Sequence, residues 1–184
     1  MLIILVVISI VCLLIALIYW SAVYNGLITK RNAVKSTFSG IDIQLKKRWD
    51  LIPRLVEVVK GYAAHEKDVF LKVVEARRLA IEAQNHSHSR ISNEQVIAQE
   101  TPKIIALAEK YPELKADEQF LWLQRNLTEI ESQISASRRA YNASVLKYNN
   151  SIQTFPANTI ARKHQFEAMD FFSIELTERH NVSI

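Results

Sequence analysis

The pair His65-Glu66 comes nearest to a catalytic motif in this chain. On a zinc-protease helix such a pair needs a second histidine one turn later, so that two imidazoles share a face and close on the metal. One turn on, the residue is Val69, and the metal reading fails. His86 and His88 stand two apart in a polar stretch without cysteine or carboxylate company, which is a poor zinc donor set. They read as part of an exposed turn. Glu129 and Glu131 do not share a helix face, so they cannot divide acid and base roles. A Gly-rich phosphate loop, a nucleophile elbow and a Ser-His-Asp arrangement are all missing from the sequence. The residues therefore point to no catalytic group, no cofactor and no metal.

Charged and hydrogen-bonding residues cluster more suggestively elsewhere. Asp42, Arg48, Asp50 and Arg54 gather around a helix bend at Pro53. Asp42 falls on an apolar seam, where a carboxylate is costly unless paired; Lys46, four residues on, is one candidate partner. Tyr141-Asn142 and Tyr148-Asn149 repeat one heptad apart, which stacks both pairs on one helix face. These eight residues form the candidate interaction surface. A catalytic alternative requires a pocket where Asp50, Arg54, Tyr141 and Asn142 converge. The basic triplet Lys46-Lys47-Arg48 lies 26 residues beyond Trp20. At 1.5 Å per residue that is about 40 Å along an upright helix, too far to grip lipid, so the triplet reads as a solvated face or a protein contact.

The elements that must position these residues begin with a membrane segment. Leu2 to Trp20 carries no charge, and its nineteen residues match the roughly 30 Å hydrocarbon core of a bilayer. It lacks the basic start, short core and small-residue cleavage site of a secretory signal, and is read as an uncleaved anchor. Cys12, preceded by Ile10 and Val11, lacks the small residue expected before a lipid-modified cysteine; it reads as an apolar residue of the anchor. Lys30, Arg31 and Lys35 follow the anchor. Lys30 and Arg31 are the membrane-proximal basic contacts, and by the positive-inside rule they favour a single-pass protein with its domain in the cytoplasm. The net charge of +4 is mild, and ten Lys or Arg against five Asp or Glu between Lys30 and Lys72 fall short of a nucleic-acid footprint.

Three glycines and four prolines in 184 residues leave little room for hairpins, so the chain is expected to be all-α. With no paired breakers between Tyr24 and Gln84, one very long helix should continue out of the membrane. Leu45, Trp49, Ile52, Val56, Val59, Ala63, Phe70 and Val73 form a first apolar seam on it. Leu51, Leu55, Val58, Tyr62 and Val69 form a second, and two seams need two neighbours. Lys46, Asp50, Pro53, Glu57 and Lys60 lie opposite. There the Trp49 carbonyl freed by the missing Pro53 N–H can bond water. Asn85 to Asn93 reads as a turn, with Ser92 capping a second helix to about Lys110. Tyr111-Pro112 ends it, and a third helix runs from near Lys115 to Thr154 or Phe155, seamed by Phe120, Leu123, Leu127, Ile130, Ile134, Tyr141, Tyr148 and Ile152. Pro156 opens a short helix. Phe172 to Thr177 alternates apolar and polar, so the tail should be extended, lying along the bundle or pairing with another subunit. The domains are then 1–23, the anchor; 24–166, the helical bundle; and 167–184, an extended acidic tail.

The stretches from Tyr24 to Glu66 and from Glu109 to Ala161, with Phe171-Phe172, resemble the bacterial LemA family. Asp42, Arg48, Asp50, Pro53, Tyr141, Asn142, Tyr148, Asn149, Phe155 and Pro156 sit at matching positions. The resemblance implies an antiparallel, four-helix-type bundle of long helices on an N-terminal transmembrane helix, and it implies no enzyme. Where relatives carry a Gly-containing apolar run, this chain has Arg162, Lys163, His164 and Gln165, which argues against membrane or hydrophobic docking there. Some relatives are lipid-anchored outside the cytoplasm, which keeps the periplasmic side as the alternative topology. The function expected is a membrane-anchored, non-enzymatic scaffold or adaptor of the bacterial envelope. Its partners would be the lipid bilayer, further copies of itself and other membrane proteins. The alternative is a regulatory or catalytic component acting on lipid, peptidoglycan or membrane-protein substrates.

Overall fold

The computed structural model describes residues 1–63, 65–83 and 87–172. It is all-α, without a strand among the described residues. Six helices, α1 (Leu2–Tyr62), α2 (Lys67–Glu82), α3 (Ser87–Ala106), α4 (Pro112–Ala116), α5 (Glu118–Gln153) and α6 (Ala157–Lys163), are joined by short connections and one 3-10 turn, Leu107–Glu109. Two compact units divide the chain: one contains Met1–Ile41 and the residues from Ser135 onward, the other Asp42–Ile134.

In the first unit, α1 opens with a run long and apolar enough to cross a membrane, none of it covered by the rest of the protein. A core helix would be buried; this exposure is what a membrane anchor requires. Beyond it, Leu27 and Val34 of α1 pack against Val145, Tyr148 and Ile152 of α5 and Ile160 and Ala161 of α6. Tyr24 meets His164 and Phe38 meets Tyr141. Partner numbers fall as α1 advances, so α1 and α5 run antiparallel.

The second unit is a four-helix bundle of the rest of α1, α2, α3 and the first half of α5. All eight residues of the first α1 seam are buried, and Lys46, Asp50, Pro53, Glu57 and Lys60 are exposed. The helix itself does not continue to Gln84. It stops at Tyr62, and α2 begins at Lys67. Gly61 in the last turn weakens the helix, and folding back lets Phe70 and Val73 bury against the bundle. A straight helix would leave that wide apolar face in water. The seam bridges the turn because Ala63 and Phe70 happen to be one heptad apart.

Other boundaries follow local chemistry. Tyr111 is extended (φ −124°, ψ 90°) ahead of Pro112, the first residue of α4, as the crowding before proline demands. Asp117 caps α5: its Oδ1 accepts the Phe120 N–H at 2.7 Å. Pro156 stands just before α6 as its cap rather than as its first residue. Helix α3 starts at Ser87, inside the stretch read as a turn, and ends at Ala106, short of Lys110. His86, the His88 side chain and the alternating tail beyond Phe172 lie outside the described residues.

Candidate interaction surface

Arg48 is not on a surface. It is wholly buried (0% exposed), because Ile41, Arg48 and Leu55 are successive heptad positions of one inward stripe. Its guanidinium pairs with the Glu94 carboxylate of α3 and with Glu131 Oε1 of α5 at 2.5 Å. Glu94 is itself buried, and its other oxygen accepts the Trp49 indole N–H at 2.7 Å. The network thus ties α1, α3 and α5 together at the bundle centre. A buried guanidinium costs several kcal/mol in desolvation, which these two carboxylates offset, although its Nε is left without a hydrogen-bond partner. The position of Arg48 between Ile41 and Leu55 was a readable signal of burial. Glu94 had none, lying in a stretch of generic helix composition.

The remaining charges of that cluster separate. Asp42 is half-buried, while Asp50 and Arg54 are exposed. Asp50 lines an open groove of about 630 Å³ with Gln44, Lys47, Asn126, Glu129 and Gln133. The bend that relates them has an unexpected partner: the Trp49 carbonyl released by Pro53 accepts the Arg77 Nε–H of α2 at 2.6 Å. Arg77 is a structural residue that the sequence did not single out.

In the first unit, the two Tyr-Asn pairs act as one device. Asn149 donates Nδ2–H to the Met169 carbonyl at 2.8 Å and accepts the Met169 N–H at 2.9 Å. Asn142 does the same to Phe172, at 3.0 and 2.8 Å. The Tyr148 hydroxyl donates to the Glu167 carbonyl at 2.9 Å and Tyr141 to the Asp170 carbonyl at 3.0 Å. Each carboxamide mimics a peptide group, so α5 offers the extended segment 167–172 a ladder like that of a neighbouring strand. The register is geometric. One heptad rises about 10.5 Å and three extended residues span about 10 Å, so Tyr148/Asn149 and Tyr141/Asn142 meet the segment three residues apart. Burial, with lesser contributions from Glu167 beside Tyr148 and Asp170 beside Tyr141, raises both phenol pKa values, which keeps the hydroxyls as donors. Arg138 stacks over the Phe172 ring at 4.7 Å and Arg31 over Phe166 at 5.2 Å.

The predicted surface residues thus comprise a buried ionic centre, exposed charges beside a groove, and an occupied backbone clamp. Lys30 lines a groove next to the membrane segment, and Arg31 is turned to Phe166. Among the described residues no group of three His, Cys, Asp or Glu side chains could hold a metal ion.

Compared with known proteins, residues 37–184 match the LemA family. The chain belongs to the LemA family. The match takes in every candidate residue from Asp42 to Asn149 and leaves the apolar start of α1 outside. Similar proteins include the magnetosome protein MamQ of Magnetospirillum gryphiswaldense, 21% identical over 81% of this chain and 64% of its own. MamQ 2 of Paramagnetospirillum magneticum is 22% identical over the same shares. Protein LemA of Metamycoplasma hominis is 24% identical over 86% of this chain and 72% of its own. The chain therefore spans about two thirds of the length of the MamQ relatives, at 64%. The LemA portion of this protein is the helical part that carries the ionic centre and the clamp.

Proposed function

We propose that this LemA-family protein is a membrane-anchored, non-enzymatic scaffold or adaptor of the bacterial envelope. It acts by self-assembly and by docking other membrane proteins, as a single-pass protein of the inner membrane with its helical part on the cytoplasmic side. The observation that carries this reading is that one helix, α1, supplies both the uncovered apolar span and part of each folded unit. Five of the eight polar residues that sequence nominates are spent internally, Arg48 on Glu94 and Glu131 and the Tyr-Asn pairs on the chain's own backbone. One outward face is partly apolar: Leu71, Val74 and Ile81 are exposed on α2 at 66, 42 and 37%, beside the exposed Glu75–Arg78–Glu82 ion pairs. A stripe of this kind favours a second helix as its cover. Single-particle mass measurement of the chain in nanodiscs, with cysteine-accessibility mapping of topology in cells, tests the proposal. Oligomers and a cytoplasmic domain are expected; a monomer at every concentration that crosslinks to no other membrane protein overturns it.

The groove beside Asp50 favours a second reading, in which Asp50, Lys47 and Glu129 act on a bound substrate. Asp50→Ala would then abolish a cellular phenotype while leaving both melting temperature and assembly unchanged.

A further inference from the structure

The corner between α5 and α6 has no evident role within the first unit, yet it carries an aromatic side chain and two cations in the open. Phe155 is 79% exposed. Arg162 and Lys163, also exposed, line one depression with it. The fold fixes the level of this corner relative to the membrane segment. Lys163 Nζ sits over the ring of Trp20, the last residue of the apolar run, at 4.9 Å from its centroid, and the His164 ring is 6.1 Å from the same indole. On its other side Phe155 borders a groove of about 500 Å³ shared with Ala22, Gly26, Lys30, Ser151 and Thr154. Ala22, Gly26 and Lys30 are two, six and ten residues past Trp20, so the groove that Phe155 borders lies roughly 3–15 Å beyond that indole along the helix axis. Tryptophan at the end of a span sits at the headgroup level, and the headgroup layer, about 5–8 Å deep on each side, overlaps that range.

From this we infer that the α5–α6 corner is a second membrane contact, in which Phe155 enters the interface and Arg162 and Lys163, with Lys30 at the groove, bind the phosphates of anionic phospholipid. The inference rests on α1 spanning a bilayer. Phe155 supplies the apolar wedge, and the long Lys and Arg stems reach over apolar surface while their charges stay with the headgroups. The acidic residues that follow, Glu167 and Asp170, lie on the segment clamped along α5 from Tyr148 toward Tyr141. That direction leads away from Trp20, so they do not cancel the field at the corner. Held in this way, α5 and α6 are tethered to the bilayer beside α1, and the first unit has a fixed tilt on the membrane.

The test uses the full chain in nanodiscs, with Cys12→Ser and a nitroxide on Gln153→Cys, an exposed site at the end of α5. Accessibility to an aqueous nickel relaxant is compared between pure phosphatidylcholine and phosphatidylcholine mixed with phosphatidylglycerol, while protease protection of the span is followed in parallel. Accessibility should fall in the anionic discs. Each basic residue at an anionic surface shifts occupancy roughly fivefold, so Arg162→Gln with Lys163→Gln should remove most of the difference, and Phe155→Ser should raise accessibility in both lipids, all without loss of helicity. A label equally accessible in both disc types, with the span protected, overturns the corner contact and leaves the membrane reading standing. An unprotected span overturns both. A label shielded only in native membranes and in neither lipid disc, with the span protected throughout, assigns the corner to a protein partner and overturns the lipid contact.

Discussion

Single side chains in this protein are decided by what their neighbours leave unsatisfied. Arg48 holds Glu94 and Glu131, and removing it strands the buried Glu94 carboxylate. Arg48→Ala should therefore cost ~3–5 kcal/mol, whereas replacing Arg48 and Glu94 together by apolar residues of similar volume should cost much less. Urea denaturation of the two variants measures the contrast. The Arg77 bond to the Trp49 carbonyl exists because Pro53 donates nothing to it. Arg77→Met should cost ~1–3 kcal/mol, and in a Pro53→Ala background, where the residue 53 N–H can serve that carbonyl, the cost should shrink. A double-mutant cycle gives the coupling directly.

Helices and segments have their own rules of attachment. Segment 167–172 is held by its main chain, so the clamp should tolerate changes in the segment's side chains and fail when the carboxamides change. Asn149→Asp places an oxygen against the Met169 carbonyl. It should speed hydrogen exchange at the Met169 amide by about tenfold while exchange inside α1 and α5 is unchanged. The start of α5 depends on an ionised cap. Asp117 is held below the ordinary carboxylate range by the Phe120 N–H first and by the Tyr62 hydroxyl in addition. Its folded pKa is depressed, so its contribution is present above pH 3.8, the unfolded value, and fades as pH falls through the lower folded value. The melting temperature of the wild-type chain should decline on acidification through that window more steeply than that of Asp117→Asn, which retains a capping oxygen but does not titrate.

At the scale of the whole molecule, the assembly proposed above would use the exposed face of α2 and the span of α1. Leu71→Glu should reduce the oligomer population in nanodisc mass measurements without lowering the melting temperature, since Leu71 is 66% exposed and supports no core. By contrast, Leu55→Ala, at a fully buried position, should cost ~2–5 kcal/mol. The amino-acid sequence by itself determined the helical class, the apolar span, the first seam of α1, the seam of α5 and the proline boundaries, because these depend on periodicity and on local backbone sterics; of the second α1 seam only Leu55 is fully buried. Its family motifs marked Arg48 of the ionic centre and the Tyr-Asn pairs of the clamp, though not their roles. Only the tertiary structure decided that Arg48 lies inside, that α1 ends at Tyr62, that Arg77 serves the Pro53 bend and that Asn142 and Asn149 bind backbone. Those outcomes depend on which distant groups arrive at a site: a carboxylate 46 residues away on α3 for Arg48, and peptide groups 20 and 30 residues away for the two asparagines. No local pattern in the chain encodes that company.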